Sequence, residues 1–324
     1  MKKIILVIGM LVFNQLCFSE LTQNTTHHFK LIKLTEDAIT DDSYKPIAGK
    51  EKLLAAKVTD EEGKGVFGAE VKFSIQDTDC GFIVISTKEV QRNEITIRTN
   101  IIGEAVVFLR TSANKNTLLI PEAIIVNQPE QKIKWNIQTT ELSERIVPIN
   151  RDWHKAIRNN EEKLKTYKAT LEIESDMPGQ PKHRTINIEK QANKKHKKLR
   201  IKEKGKKDYE TVSEDFWYPP LYDTEPIAYN QKTKTVIFRN ISKDSNMYPY
   251  RLLYVDFPRG IIIKEERYRY YMNGLVHKFE TEYNNWNEDK KIAGGYRYKN
   301  KIERIHSGLK KEKYRTTTKI TDVE

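Results

Sequence analysis

Seven histidines, two cysteines and the adjacent pair Glu265-Glu266 are the residues of this 324-residue chain whose types could carry out chemistry. A metal centre needs His, Cys, Asp or Glu at short, fixed spacings. His27-His28 is an isolated pair in a polar stretch, and His183 and His196 flank lysine-rich loops with no second ligand at metal spacing. Cys80 opens the apolar run Cys80-Gly-Phe-Ile-Val-Ile, where a thiol acts as a small hydrophobe. Gly294-Gly295 stands between strand-like stretches and reads as a turn or bulge rather than a phosphate loop. There is no Gly-x-Ser-x-Gly elbow and no paired Cys and His. The partners of Glu265-Glu266 are not readable from sequence. The expectation is therefore a non-enzymatic protein with no catalytic residues, no metal and no cofactor; an enzyme with an unrecognised site is a minor alternative.

The strongest signal outside core and turns is electrostatic. Lys194, Lys195, Lys197, Lys198, Arg200 and Lys202 crowd one short stretch, followed by Lys204, Lys206 and Lys207, with Glu203 the one acid among them. A solvated hairpin with a strand near residues 198–203 and a turn at Gly205 accounts for the pattern. So does contact with an anionic surface: lipid headgroups, an acidic envelope polymer or an acidic partner. Just downstream, Asp215-Phe-Trp-Tyr-Pro-Pro-Leu-Tyr222 gathers Phe216, Trp217, Tyr218 and Tyr222, which suit the mouth of a ligand site or ordinary sheet packing.

The elements that must position these residues divide near residue 150. Residues 1–150 hold 18 Lys+Arg against 19 Asp+Glu, which leaves 39 against 26 for residues 151–324 out of totals of 57 and 45. Of the 16 tyrosines, 15 lie in the second part. A step in both charge and aromatics marks a domain boundary. The start of the chain reads as a secretory signal over residues 1–19: Lys2 and Lys3, the apolar run 4–13, then Cys17 and Ser19 before a cut at Glu20. An uncleaved anchor is one alternative. Lipidation at Cys17 is another, and it would want a small residue where Leu16 stands. Removal of the signal leaves Cys80 as a lone cysteine, which makes no intramolecular disulfide. Export to the periplasm is expected, with an outer-membrane-associated or extracellular location as the alternative, and export argues against nucleic acid as a partner.

Residues 20–47 form a polar lead-in with one strand-like stretch at 29–34. Short strands then repeat through residues 48–140. Val71, Phe73 and Ile75 alternate with Glu70, Lys72 and Ser74, Ile95 and Ile97 alternate again, and Ile133, Trp135 and Ile137 close the set. About seven strands with turn residues between them predict a β-sandwich. Three stretches, Lys57-Val-Thr-Asp-Glu-Glu-Gly-Lys-Gly-Val66, Ala69-Glu-Val-Lys-Phe-Ser74 and Thr99-Asn-Ile-Ile-Gly-Glu-Ala-Val-Val-Phe-Leu109, resemble the bacterial Ig-like domain of invasin and intimin type. That resemblance implies a spacer or presenting module.

Residues 141–150, with Pro148, read as a linker. Within 151–324, a helix is predicted over residues 151–164 from Trp153, Ile157 and Leu164. Long alternating strands follow, including a pair joined at Asn273-Gly274, a strong hairpin signal. The fold class expected is mainly β: the sandwich, then a strongly curved antiparallel sheet or half-open barrel with at least one helix. Gly295, Ile302, Glu303, Ile320 and Val323 resemble the closing strands of the periplasmic lipoprotein-carrier family, LolA- and LolB-like proteins included, with Lys299 where that family has proline. The resemblance implies a half-open barrel that accepts a lipid or an acylated protein without chemistry. A cell-envelope scaffold or adhesin, with an Ig-like spacer and a basic face for anionic polymers, is the competing reading.

Overall fold

Alternating apolar residues separated by glycine turns should give short strands, and the computed structural model contains strands throughout. It describes residues 28–83, 90–142, 167–190, 198–203, 210–213, 224–240, 250–259, 261–270, 276–289 and 295–323. The first half contributes β1 (Lys30–Lys33), β2 (Lys45–Pro46), β3 (Glu51–Thr59), β4 (Glu70–Ser74), β5 (Gly81–Ile83) and β6 (Val90–Arg92). It continues with β7 (Glu94–Arg98), β8 (Glu104–Arg110), β9 (Leu118–Leu119), β10 (Glu122–Ile125), β11 (Gln128–Lys134) and β12 (Ile137–Gln138). The second half contributes β13 (Tyr167–Ser175), β14 (His183–Lys190), β15 (Lys198–Glu203), β16 (Glu210–Ser213), β17 (Thr224–Asn230) and β18 (Thr235–Asn240). The chain ends in β19 (Tyr250–Asp256), β20 (Ile261–Tyr270), β21 (Val276–Asp289), β22 (Gly295–Ser307) and β23 (Lys311–Val323).

The first half forms a five-stranded sheet, β1-β3-β8-β5-β6, and a four-stranded sheet, β11-β10-β4-β7. The two share one core. Leu54, Ala56, Val58 and Leu109 from the larger sheet meet Val71, Phe73 and Ile95 from the smaller and Trp135 just after β11. Phe73 stacks on Trp135 with ring centroids 6.0 Å apart, and the indole N–H donates to Thr35 O and Oγ1. Burial of each large side chain contributes about 1.5–3 kcal/mol. Cys80 belongs to this core, where burial first, and Asp77 second, push its thiol up to about 11.

Leu53-Leu-Ala-Ala56 and Ala105-Val-Val-Phe-Leu109 do not alternate polar with apolar, because β3 and β8 are buried on both faces. Leu53, Ala55, Val106 and Phe108 point away from the first core and pack on Ile237, Tyr250, Leu252 and Tyr268 of the second half. Phe108 and Tyr250 have ring centroids 4.3 Å apart, which adds about 0.5–1.5 kcal/mol beyond area burial. The outer face of the first module is thus one wall of a second core.

The other wall is a twelve-stranded antiparallel sheet, ordered β16-β15-β14-β13-β23-β22-β21-β20-β19-β18-β17-β2. Among the described residues it does not close on itself, with β16 and β2 as its two edges; the curved sheet or half-open barrel expected from sequence is here an antiparallel sheet not closed into a barrel. Its last strand comes from residues 45–46, inside the lead-in, with Ala228 opposite Pro46. No helix occurs among the described residues; the helix expected at 151–164 lies outside them. The Asn273-Gly274 turn lies outside them too; β20 and β21 pair with Tyr270 opposite Val276, one residue away from the register of a two-residue Asn-Gly loop, which would set Tyr270 opposite His277.

Opposed residues of an antiparallel pair share a face, so the register sorts the long sheet. Tyr250/Tyr268, Leu252/Glu266 and Tyr254/Lys264 face the seam, as do Glu266/Glu280 and Glu280/Arg304. Phe238/Leu253 and Leu253/Glu265 lie on the opposite face, together with Leu171/Ile320. β22 and β23 are 13 residues each, joined by a turn at Gly308.

Candidate functional site

Most of the residues singled out from sequence are not among the described ones. Phe216, Trp217, Tyr218, Tyr222, Lys194, Lys195 and Lys197 lie outside the described residues. Lys198, Arg200 and Lys202 occupy alternate positions of β15, next to the β16 edge, opposite Ser213, Thr211 and Asn187. Glu265 and Glu266, adjacent in sequence, are divided by the strand. Glu265 turns to the face away from the seam, where Arg251 donates to it at 2.6 Å. Glu266 turns to the seam. Among the described residues, no group of three His, Cys, Asp or Glu could hold a metal ion.

Two clefts open along the seam between the halves. The larger, about 610 Å³, lies between the first module's turns at Gly63–Gly65 and 101–104 and the β22–β23 turn. Both sides are held by glycine and a buried acid. Gly103 sits at φ +81° with Val58 O only 2.4 Å from where a Cβ would be, so no side chain fits there. Asn100 Oδ1 accepts from the amides of Ile102 and Glu104, both at 3.0 Å, and closes that loop. Glu104, buried, accepts the Leu309 amide at 3.1 Å across the seam. Gly308, at φ +75°, lets the turn come that close: a Cβ there would lie 2.5 Å from Glu104 Oε1. Burial pushes the Glu104 carboxyl up, and the Leu309 amide and Lys57 only partly oppose it.

Around this acid stand Lys57, Lys64, Lys310, Lys311 and Lys313. None of the five makes an ion pair with another described residue. Lys57 is half-buried and the other four are exposed. Five cations against one buried acid in a walled cleft focus a positive potential. An anionic group within 4 Å of one such lysine gains about 1–4 kcal/mol, depending on how much water stays between them.

The smaller cleft, about 350 Å³, continues from the first, sharing Leu34 and Lys310 with it. Its floor is the knot around Glu266. Tyr254 and Tyr268 donate their hydroxyls to Glu266 at 2.9 and 2.7 Å, and Lys264 lies 2.8 Å from it. Lys264 and Lys278 reach Glu280 at 3.2 and 2.7 Å, and Arg304 binds Glu280 and Glu282 at 2.8 and 3.0 Å. Burial pushes the Glu266 carboxyl up, but Lys264 and Lys278 outweigh it and hold it below the usual range. Glu280 is likewise raised by burial and then brought down by Lys278 and Lys264, to about 2. At the rim, Arg239 of β18 pairs with both Glu51 of β3 and Glu225 of β17, and Lys50 lies 2.6 Å from Glu225, so charges as well as apolar contacts cross the seam.

Neither the lysines of the larger cleft nor the tyrosines of the smaller were expected from sequence as site residues. Lys310-Lys-x-Lys313 directly after Gly308 was the visible signal. Lys57 of β3 and Lys64 of the turn after it come some 250 positions earlier, and nothing local connects them to it.

No protein-family model matches the chain, and no curated protein sequence does. Among solved structures it is similar to a domain described as an outer membrane lipoprotein-sorting protein from Vibrio parahaemolyticus, with 11% identity over 55% of this chain and 91% of that one and a TM-score of 0.38. It is also similar to domains 4–9 of the surface layer protein SbsC, with 7% identity over 90% of this chain and 30% of that one and a TM-score of 0.26. A third is invasin, a bacterial integrin-binding protein, with 11% identity over 89% of this chain and 59% of that one and a TM-score of 0.25. These scores are too low for an assignment to rest on them.

Proposed function

We propose that this chain is an exported, non-enzymatic binding protein of the cell envelope. In this reading an Ig-like first module, residues 48–140, braces a long carrier-like sheet, and the seam between them grips an anionic polymer. The observation that carries the reading is the larger cleft: five lysines without ion pairs among the described residues, converging from both halves on one walled opening. Unpaired like charges so gathered repel one another, and a polyanion removes that repulsion. The secretory signal read over residues 1–19 supports export. Titration with dextran sulfate over a range of NaCl concentrations tests the proposal. Binding that weakens steeply as salt rises is the expected result; absence of binding at low salt overturns it.

A second reading, a lipid or acylated protein as ligand, is favoured by a different observation. Leu171, Ile173, Phe238, Leu253 and Val255 form an apolar series on the long-sheet face that takes no part in the seam core; all five are already buried, so a ligand there would have to displace what covers them. Each CH₂ buried there would gain about 0.8 kcal/mol. Native mass spectrometry after gentle purification distinguishes the two readings: co-purifying lipid supports this one, and lipid-free protein that binds dextran sulfate supports the first.

A further inference from the structure

The smaller cleft shares Lys310 with the larger and carries further charged side chains that make no ion pair among the described residues. Seven charged side chains line it, and four are committed: Glu51 to Arg239, and Lys264, Glu266 and Lys278 to one another. Lys52, Lys310 and Glu36 remain, and none of these makes an ion pair among the described residues. Two cations and one anion leave a net charge of +1 facing the cleft. The rest of the lining is apolar or aromatic, with Tyr44, Tyr250, Tyr254 and Tyr268 prominent. Tyr44 meets Tyr254 edge-on at 5.3 Å, and Tyr250 meets Tyr268 at 5.8 Å, so the rings are fixed by one another as well as by Glu266.

We infer that this cleft binds a small monoanion with an apolar or aromatic body, its charged group set against Lys52 and its body against the tyrosines. The volume, about 350 Å³, is of the size that small-ligand pockets have, and a largely apolar lining with few placed charges is their usual chemistry. Lys52 suits the counter-ion role. Burial lowers the pKa of its ammonium, with Glu36, Asp37 and Glu266 opposing, and an anion in the cleft would oppose that shift further. Lys52 does not line the larger cleft, so the inference stands or falls apart from polymer binding.

The test uses the full chain and two dyes of matched shape: 1-anilinonaphthalene-8-sulfonate, which is anionic, and N-phenyl-1-naphthylamine, which lacks the sulfonate. Lys52→Met should weaken the sulfonate dye about tenfold, Lys52→Arg should preserve its binding, and the uncharged dye should bind all three proteins alike. Melting temperatures of the variants confirm that each is folded. Equal affinity of the sulfonate dye for wild type and Lys52→Met overturns the inference. So does a parallel loss of both dyes, which would mean that the cleft changed shape rather than charge, and so does a failure of the sulfonate dye to bind wild type.

Discussion

The core of the first module and the seam face of the long sheet are both buried, but they are built from different materials. The first is wholly apolar, with Leu54, Phe73, Phe82, Leu109 and Trp135 closed off from solvent. The second runs from Phe108, Tyr250 and Leu252 into a lattice of Lys264, Glu266, Lys278, Glu280 and Arg304. Apolar burial stabilises without regard to direction, whereas a buried charge is tolerated only where a counter-charge meets it in good geometry. The near-neutral first half therefore needs few ionic partners. The basic second half pairs most of the described cations in its sheet and leaves Lys310, Lys311 and Lys313 over at the seam, where Lys57 and Lys64 of the first half complete the candidate site.

Four changes would break or sharpen this contrast, in falling order of effect. Trp135→Ala empties the apolar core and should cost about 3–5 kcal/mol in denaturant unfolding. Glu266→Ala leaves Lys264 and Lys278 under-compensated and two tyrosine hydroxyls without their acceptor. It should cost about 3 kcal/mol, and the double change that also removes Lys264 should recover part of that. Recovery would show that the lattice is held by pairing; equal loss in both variants would show that packing alone matters. Gly308→Ala drives a Cβ against Glu104 at a positive φ and should cost about 1–3 kcal/mol, with amide exchange rising at Leu309 before it rises in the first core. The smallest effect is on pH. The folded-state pKa of Glu280 is depressed, to about 2, so its contribution is present above the ordinary carboxylate range and is lost as pH falls toward that value. The melting temperature should drop between about pH 4.5 and 2, and Glu280→Gln should flatten that drop.

Much of the first core was legible in the sequence, because Val71, Phe73 and Ile75 alternate and each sends one face inward. The seam was legible only in hindsight. Leu53-Leu-Ala-Ala56 breaks the alternation, and a strand that breaks it in this way is buried on both faces. The β22–β23 hairpin was hidden because residues 299–315 are rich in charge and show no regular alternation of hydropathy. Arg304 pairs with Glu280, Glu282 and Glu312 on neighbouring strands, and no local pattern reports such partners. The same holds for the clefts: Lys57 and Lys313, or Lys52 and Tyr254, meet only through tertiary packing. The described part of the basic stretch that did stand out, Lys198, Arg200 and Lys202 of β15, lies three strand spacings from β23, about 14 Å at the usual interstrand distance, so it is separate from the seam.

That separation allows the most direct test of the central claim, that the seam rather than the conspicuous lysine stretch is the anionic site. Two variants of equal charge change are compared for dextran sulfate binding at low salt: Lys310→Ala/Lys311→Ala/Lys313→Ala at the seam, and Lys198→Ala/Arg200→Ala/Lys202→Ala on β15. The account predicts at least a tenfold loss in the first and less than a threefold loss in the second, with a shallower salt dependence only in the first. Equal losses, or a larger loss on β15, would contradict it.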